Sequence, residues 1–171
     1  MTVSRGNAFV HILTGGVDSG KTTRLLSIYR EMDSGDGFIN VKIYREGTIA
    51  GQRIIRLSSG ESEPFSYIRG FTPDGWDEKY TYGNYSFSEK GLAFARNIVS
   101  DIVSRRISPV FIDEIGPLEL GKKGFYDIFR ILLHTNNEIY TAVRESCIES
   151  VIREFGISAY EIINPDSLVF R

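Results

Sequence analysis

The sequence predicts an α/β fold in which helices cover a mostly parallel central sheet. Short apolar runs, typical of buried strands, alternate along the chain with segments whose apolar residues recur at helical spacing. A glycine-rich turn joins the first apolar run to the first helical segment. The chain has 171 residues, of which 42% are hydrophobic and 25% charged, so it can bury a sizeable core. We therefore expect a single domain over residues 1–171.

The first third of the chain is predicted to form a strand, a helix and a hairpin. Residues 8–14 are apolar and rich in β-formers, residues 21–32 have helical apolar spacing, and residues 33–37 form a turn. Two short strands follow within residues 38–57, on either side of Glu46-Gly47. The sequence thus predicts a β-hairpin insertion after the first helix.

The middle of the chain is harder to assign to regular elements. Residues 58–86 are polar, with several glycines and aromatic residues, which predicts a long loop holding at most one short strand. Ser86 and Glu89 have the spacing of a capping box in front of a strong helix, whose apolar stripe begins at Leu92 and Ala95.

The last third returns to alternating strands and helices. Strands are predicted at residues 109–113, 139–143 and 159–163, and helices at residues 125–133 and 148–155. Gly156 is expected to cap the last helix.

Composition excludes several classes of function. Lys and Arg total 20 against 22 for Asp and Glu, a net charge of -2, without the basic surplus that nucleic-acid-binding proteins usually carry. The single cysteine, Cys147, excludes an internal disulfide and a cysteine-based zinc site. The apolar stretch at residues 8–13 is too short for a signal peptide or a membrane span. We expect a cytoplasmic protein with neither a nucleic-acid nor a membrane partner.

Residues 15–22, GGVDSGKT, match the phosphate-loop pattern GxxxxGK[ST] at every position. Glycines allow backbone N–H groups to turn onto phosphate oxygens, and the following helix directs its N-terminus at the same anion. Lys21 is then expected to reach the β- and γ-phosphates and Thr22 to ligate Mg²⁺. The carboxylate of Asp18 has to point away from the phosphates. The candidate nucleotide-binding residues are Gly15, Gly16, Val17, Asp18, Ser19, Gly20, Lys21, Thr22 and Thr23.

A second motif, VFIDE at residues 110–114, delivers two carboxylates to the end of an apolar strand. Ligands of open α/β sheets bind at the carboxyl ends of the strands. Asp113 is therefore the second candidate ligand of Mg²⁺, and Glu114 is placed to act as general base on a water that attacks the γ-phosphate.

Together these segments resemble a known family. GGVDSGKTT at 15–23, Gly37-Phe38, Gly51-Gln52-Arg53 and DEIGPLEL at 113–120 occur in the order typical of the THEP-type nucleoside-triphosphatases, also called cancer-related NTPases. The resemblance covers residues 9–165. It implies a three-layer, RecA-like P-loop core and slow Mg²⁺-dependent hydrolysis of ATP, GTP and related triphosphates to diphosphate and phosphate. A monomer is compatible with this interpretation.

Two departures from the family pattern lie next to these motifs. Residues 16–19 stand where a Pro-Gly-Val stretch is common, and Pro117-Leu118 where a Lys-Met pair is common. Neither departure changes Lys21, Thr22 or the two carboxylates of the second motif.

Further candidates have both a functional and an ordinary interpretation. Arg144 follows the strand at 139–143, so it is either a third catalytic residue that stabilises charge on the γ-phosphate or a surface arginine. Glu119 is expected to cap the next helix rather than to tune the site. The aromatic cluster formed by Tyr80, Tyr82, Tyr85 and Phe87 favours a lid packed on the core over a surface that stacks on a nucleobase.

Two other functions use the same phosphate loop. In a nucleotide or small-molecule kinase, Glu114 would activate an acceptor hydroxyl; kinase lids usually carry several arginines, whereas residues 58–86 contain only Arg69. A GTP-binding accessory protein in cofactor assembly is the other alternative. The chain has no Asn-Lys-x-Asp motif for reading guanine, which favours broad base tolerance.

Overall fold

The computed structural model describes residues 7–16 and 20–164, which form nine strands, five α-helices and one 3₁₀ turn. The strands are β1 (Phe9–Gly15), β2 (Asp36–Arg45), β3 (Thr48–Arg56), β4 (Ser62–Ile68), β5 (Glu78–Tyr82), β6 (Tyr85–Ser88), β7 (Val110–Glu114), β8 (Glu138–Arg144) and β9 (Tyr160–Ile163). The helices are α1 (Lys21–Met32), α2 (Glu89–Arg105), α3 (Pro117–Leu120), α4 (Tyr126–Leu133) and α5 (Ile148–Phe155), with the 3₁₀ turn at Glu145–Cys147.

All nine strands belong to one sheet, in the order β5-β6-β4-β3-β2-β7-β8-β1-β9. From β2 to β9 the neighbouring strands are parallel, whereas every pair from β2 outward to β5 is antiparallel. The expectation of a mostly parallel sheet was therefore wrong, and the sheet is mixed. Tight turns rather than crossover helices connect β2, β3 and β4, and such turns can join only antiparallel strands.

The hairpin around Glu46-Gly47 is present, formed by β2 and β3. It is not an insertion beside the parallel sheet, because its first strand is itself the parallel neighbour of β7. At this junction Gly37 lies opposite Phe111, and a Cβ atom on Gly37 would lie within 1.8 Å of the Phe111 carbonyl oxygen. The strands β2 and β7 can therefore approach each other this closely because residue 37 has no side chain.

The predicted loop at residues 58–86 was also wrong, since this segment contains β4, β5 and the start of β6. Two of its aromatic residues, Phe65 and Tyr67, are buried in the core. The ring of Phe65 stacks on Phe125 with centroids 5.0 Å apart and meets Phe87 edge-on at 5.1 Å. Packing against distant residues stabilises the extended conformation of this segment. A local sequence pattern does not reveal such partners.

The capping box predicted at Ser86 was wrong by two residues. The hydroxyl of Ser88 accepts a hydrogen bond from the N–H of Gly91 at 3.0 Å and caps α2, whereas Ser86 accepts one from the indole of Trp76 at 2.9 Å. The helix therefore begins at Glu89.

Helices cover both faces of the sheet. On one face Leu25 and Ile28 of α1 pack with Leu13 and Phe111. On the other face α2, α4 and α5 share a larger cluster with the alternating strand residues, among them Ile112. No helix in the described part of the chain is long and apolar enough to cross a membrane.

We predict that Gly37→Ala destabilises the fold by several kcal/mol. The new methyl group would overlap backbone of β7, and φ at residue 37 is 154°, so neither strand can yield cheaply. Gly47→Ala at the hairpin tip is the matched control: φ is also positive, at 76°, but no atom lies within 4 Å, so only about 1 kcal/mol of backbone strain is expected. Chemical denaturation of both variants measures the difference, and equal losses would contradict this account of the strand contact.

Candidate active site

The beginning of α1 places two of the candidate residues at the carboxyl edge of the sheet. Gly20 adopts the left-handed conformation (φ 79°), and Lys21 and Thr22 form the first turn of the helix. The ammonium group of Lys21 donates to the carbonyl of Gly16 at 2.6 Å. The lysine head group therefore lies against the loop it follows. Thr23 is exposed on the helix.

The remaining loop residues are only partly described. Gly15 ends β1 and is paired in register with Arg144 of β8. Val17, Asp18 and Ser19, which the sequence assigns to nucleotide binding, lie outside the described residues.

A direct contact joins α1 to β7. The hydroxyl of Thr22 lies 3.0 Å and 3.1 Å from the two carboxylate oxygens of Asp113, and the backbone N–H of Asn40 donates to the same carboxylate at 2.8 Å. Asp113 is buried, with 2% of its surface exposed. Burial raises the pKa of Asp113 to about 6, although the bonds from Asn40 and Thr22 favour the charged form.

The Asp113 carboxylate is directed by an irregularity in β7. Ile112 pairs with Thr141, but Glu114 pairs with Ala142, the next residue of β8, so Asp113 is the extra residue of a β-bulge. The hydroxyl of Thr141 donates to the Asp113 carbonyl at 2.9 Å. Bulges re-aim side chains near functional sites. Here the bulge presents two consecutive carboxylates to the same edge.

Glu114 is paired with Arg144, the last residue of β8. The guanidinium Nε of Arg144 donates to Glu114 Oε1 at 2.9 Å, and both side chains are partly exposed. The prediction that Arg144 reaches the edge that carries Glu114 is thus in agreement with the structure, and its partner there is a carboxylate.

These residues line a cavity of about 720 Å³, which we call the first cavity. It is lined by Gly20, Lys21, Thr22, Asn40, Val41, Lys42, Tyr44, Ile49, Gln52, Tyr85, Asp113, Glu114 and Arg144. Three of the lining residues are cationic and two are carboxylates, a balance that suits a polyanion with a bound cation.

A second cavity of about 400 Å³ adjoins the first. It is lined by Asn40, Gln52, Phe65, Tyr82, Tyr85, Phe87, Glu114, Gly116, Pro117, Leu118, Glu119, Phe125 and Arg144. Glu114 and Arg144 line both cavities and so lie where they meet.

Sequence reasoning gave no role to Asn40 or Gln52, although both line the two cavities. Asn40 follows an apolar run in β2, and a polar residue there was a usable signal. Its backbone contact with Asp113 depends on strand pairing between β2 and β7, which no local pattern contains.

The aromatic cluster is part of the sheet rather than a separate lid. Tyr80 packs inward, and its hydroxyl accepts a hydrogen bond from the N–H of Gly124 at 2.8 Å. Tyr85 lines both cavities and Tyr82 lines the second.

Glu119 caps the turn after β7, as the sequence predicted. Its carboxylate accepts hydrogen bonds from the N–H groups of Gly116 at 3.1 Å and Phe125 at 3.4 Å, and its surface is 3% exposed. Burial raises the pKa of Glu119 to about 7, and these N–H groups counteract the rise.

A glycine-rich segment that joins a strand to a helix, with a strand-end carboxylate beside the lysine and threonine that begin the helix, defines a P-loop nucleotide-binding protein. The NTPase family model matches residues 10–166. Because this match covers most of the chain, the chain belongs to the NTPase family and is a nucleoside-triphosphatase enzyme of the THEP type.

Curated relatives and solved structures agree with this assignment. Nucleoside-triphosphatase THEP1 from Archaeoglobus fulgidus is 26% identical over 151 residues, 85% of each chain. THEP1 from Pyrobaculum aerophilum is 25% identical over 163 residues, covering 93% of this chain and 87% of the relative.

Two solved structures share the fold. The crystal structure of THEP1 from Aquifex aeolicus has a TM-score of 0.70 at 24% identity, covering 94% of this chain and 92% of that one. The solution structure of a human cancer-related nucleoside triphosphatase has a TM-score of 0.64 at 22% identity, covering 92% and 88%. They show the P-loop NTPase fold, within which the RecA-like assignment stays a prediction.

We predict that Glu119 makes the fold less stable as the pH rises from about 4.5 to 7. Its pKa in the folded state exceeds the ordinary value of 4.5, so the folded protein holds this proton more tightly than the unfolded chain and loses that advantage on ionisation. Glu119→Gln removes the titration. Chemical denaturation at pH 5 and pH 8 should show that the variant loses on the order of 2 kcal/mol less than the wild type across this interval. An identical loss in both proteins would contradict the prediction.

Proposed function

We propose that the protein hydrolyses nucleoside 5′-triphosphates, ATP and GTP among them, to diphosphate and phosphate in a Mg²⁺-dependent reaction. The observation that carries the proposal is the contact between Thr22 and Asp113, which joins the start of the loop helix to the strand-end carboxylate. Lys21 lies at the same edge, in the first cavity. The names of the curated THEP1 relatives support the same reaction.

Binding of the triphosphate is assigned to the loop and to Lys21. Gly20, Lys21 and Thr22, at the N-terminus of α1, line the first cavity, and a helix N-terminus favours an anion. The ammonium of Lys21 now donates to loop carbonyls and would exchange them for β- and γ-phosphate oxygens. Thr23 and the loop residues at 15–20 complete the proposed nucleotide-binding set.

Thr22 and Asp113 fit a magnesium ion. A hydroxyl and a carboxylate are oxygen donors of the kind Mg²⁺ prefers, and here they already lie within hydrogen-bond distance of each other. The buried Asp113 carboxylate, whose pKa is raised by burial, would gain a cationic partner. When bound, Mg²⁺ neutralises charge that develops on the β- and γ-phosphate oxygens.

Glu114 is the proposed general base. It follows Asp113 directly and lines both cavities. Its carboxylate would accept a proton from a water whose oxygen bonds to the γ-phosphorus, while the bond to the β–γ bridging oxygen breaks and the diphosphate leaves.

Arg144 is proposed to act in the same step. In the described structure its guanidinium holds Glu114 Oε1 at 2.9 Å, which orients the carboxylate. An arginine at this position can also donate to γ-phosphate oxygens, where charge accumulates in the transition state. The two roles use different N–H groups of one planar guanidinium.

We predict that Lys21→Ala weakens binding of ATP by roughly tenfold or more and abolishes turnover, because the loop then faces a triphosphate without its side-chain cation. Lys90→Ala removes an equal charge from an exposed position on α2 and serves as the control. Titration calorimetry with a non-hydrolysable ATP analogue measures the affinity. Equal affinity of the Lys21 variant and the control would contradict the phosphate-binding role.

We predict that Glu114→Gln binds Mg²⁺-ATP as the wild type does but turns it over slower by roughly 10²–10⁴-fold, the usual contribution of a general base. The amide keeps an oxygen for Arg144 and loses only the ability to take a proton. Glu31→Gln, at an exposed position near the end of α1, is the matched control.

Both binding and single-turnover phosphate release are measured on the same preparation. Loss of binding in parallel with turnover would assign Glu114 a structural or metal-binding role. Undiminished turnover would place the base elsewhere, and a wild type without turnover would favour a GTP-binding accessory protein.

A further inference from the structure

The second cavity has no role in the hydrolysis proposed above. It is not lined by Lys21, Thr22 or Asp113, yet it shares Glu114 and Arg144 with the first cavity. On the proposed function, a triphosphate held by the loop would have its γ-phosphate near Glu114, and the second cavity would adjoin it there.

The walls of the second cavity suit a small organic molecule. Seven of its thirteen lining residues are aromatic or aliphatic: Phe65, Tyr82, Tyr85, Phe87, Pro117, Leu118 and Phe125. Its polar side chains are few, and those shared with the first cavity lie at the boundary. A volume of about 400 Å³ with an apolar wall and a few polar groups is typical of small-molecule sites.

One buried polar atom, on a residue that lines both cavities, has no partner. Among the described residues, Oδ1 of Asn40 is buried and accepts no hydrogen bond, whereas the backbone N–H of the same residue is used by Asp113. Buried acceptors are almost always satisfied, so an unsatisfied one that lines a cavity indicates a missing donor. A ligand with an N–H or O–H group would supply it.

We propose that the second cavity binds a phosphoryl acceptor, a hydroxyl-bearing heteroaromatic molecule of about the size of a nucleoside. Its ring would pack against Tyr85, a hydrogen-bond donor would reach Asn40 Oδ1, and its hydroxyl would lie at Glu114 in the place of water. This inference rests on the proposed function, because it takes the γ-phosphate to lie beside Glu114.

The proposed phosphoryl transfer needs no reacting group beyond the acceptor and those already described. The acceptor hydroxyl oxygen forms a bond to the γ-phosphorus, the bond from that phosphorus to the β–γ bridging oxygen breaks, and the nucleoside diphosphate leaves. Glu114 accepts the hydroxyl proton, and the products are the phosphate monoester and the diphosphate. In-line attack requires the acceptor oxygen on the side of the γ-phosphate opposite the leaving group, so the proposal requires the second cavity to open on that side.

The cationic groups that a kinase needs are present without a lid. Arg69 is the only arginine within residues 58–86, but Lys21 and Arg144 reach the first cavity from the loop and from the end of β8. Acceptor and water would compete for one position at Glu114. A bound acceptor therefore suppresses release of free phosphate while its own monoester accumulates.

The test uses γ-labelled ATP, Mg²⁺ and four probes, adenosine, guanosine, cytidine and pyridoxine, each with a heteroaromatic ring and a primary hydroxyl. We expect label to transfer to at least one probe, with a matching fall in free phosphate. Calorimetry with the protein loaded with a non-hydrolysable ATP analogue measures binding of the probe independently of turnover.

Leu118→Trp fills the second cavity and leaves the first cavity untouched, and Tyr82→Ala removes a half-exposed ring from its wall. Each substitution should raise the apparent KM of the probe by roughly tenfold or more. Phosphate release by the same variant without probe is the reference for its basal activity. Tyr160→Ala, at an equally exposed tyrosine on β9 outside both cavities, is the control. It should change neither the apparent KM of the probe nor the release of phosphate.

Transfer to a probe that Leu118→Trp weakens supports the proposal. Binding of every probe without transfer, competition between probe and ATP, or transfer undiminished in Leu118→Trp would each overturn it. If the wild-type protein releases no phosphate without a probe, the proposed hydrolysis is contradicted. In that case, transfer of label to a probe is still the test of the second cavity.

Discussion

The proposed chemistry depends on one contact, the 3.0 Å hydrogen bond between Thr22 and Asp113. It joins the first turn of α1 to the end of β7, although β8 separates β7 from β1 in the sheet. The helix α1 therefore has to be positioned over the face of the sheet so that its first turn reaches the end of β7. Packing of Leu25 and Ile28 in the cluster that contains Phe111 holds it there, so the core on that face of the sheet positions the site.

Asp113 is held by backbone and side-chain groups from three further directions. Its bulge turns it out of the β7–β8 ladder, Thr141 satisfies its carbonyl, and the N–H of Asn40 binds its carboxylate. Such a shell lets a carboxylate remain buried at the cost of a raised pKa. Glu114, one residue further on, is only half-buried and has a guanidinium partner. Two adjacent carboxylates thus have different environments, as different roles would require.

The parts of the fold that the sequence predicted correctly are those specified by local patterns. The apolar runs of β1, β7 and β8, the helix α1 and the Gly156 cap of α5 each follow from a few neighbouring residues. The strands β4 to β6, the Ser88 cap and the contact of Asn40 with Asp113 depend on partners far away in the chain, such as Phe125 against Phe65. The second cavity is lined by residues spread from Asn40 to Arg144, so no local pattern predicts it.

The most direct test of this account is a crystal structure of the protein with a non-hydrolysable ATP analogue and Mg²⁺. The account predicts that the Thr22 hydroxyl and the Asp113 carboxylate exchange their mutual hydrogen bond for a shared metal ion. Lys21 should contact the β- and γ-phosphates, and Glu114 should face the γ-phosphate across one water. A nucleotide bound elsewhere, with the bond between Thr22 and Asp113 intact, would contradict it.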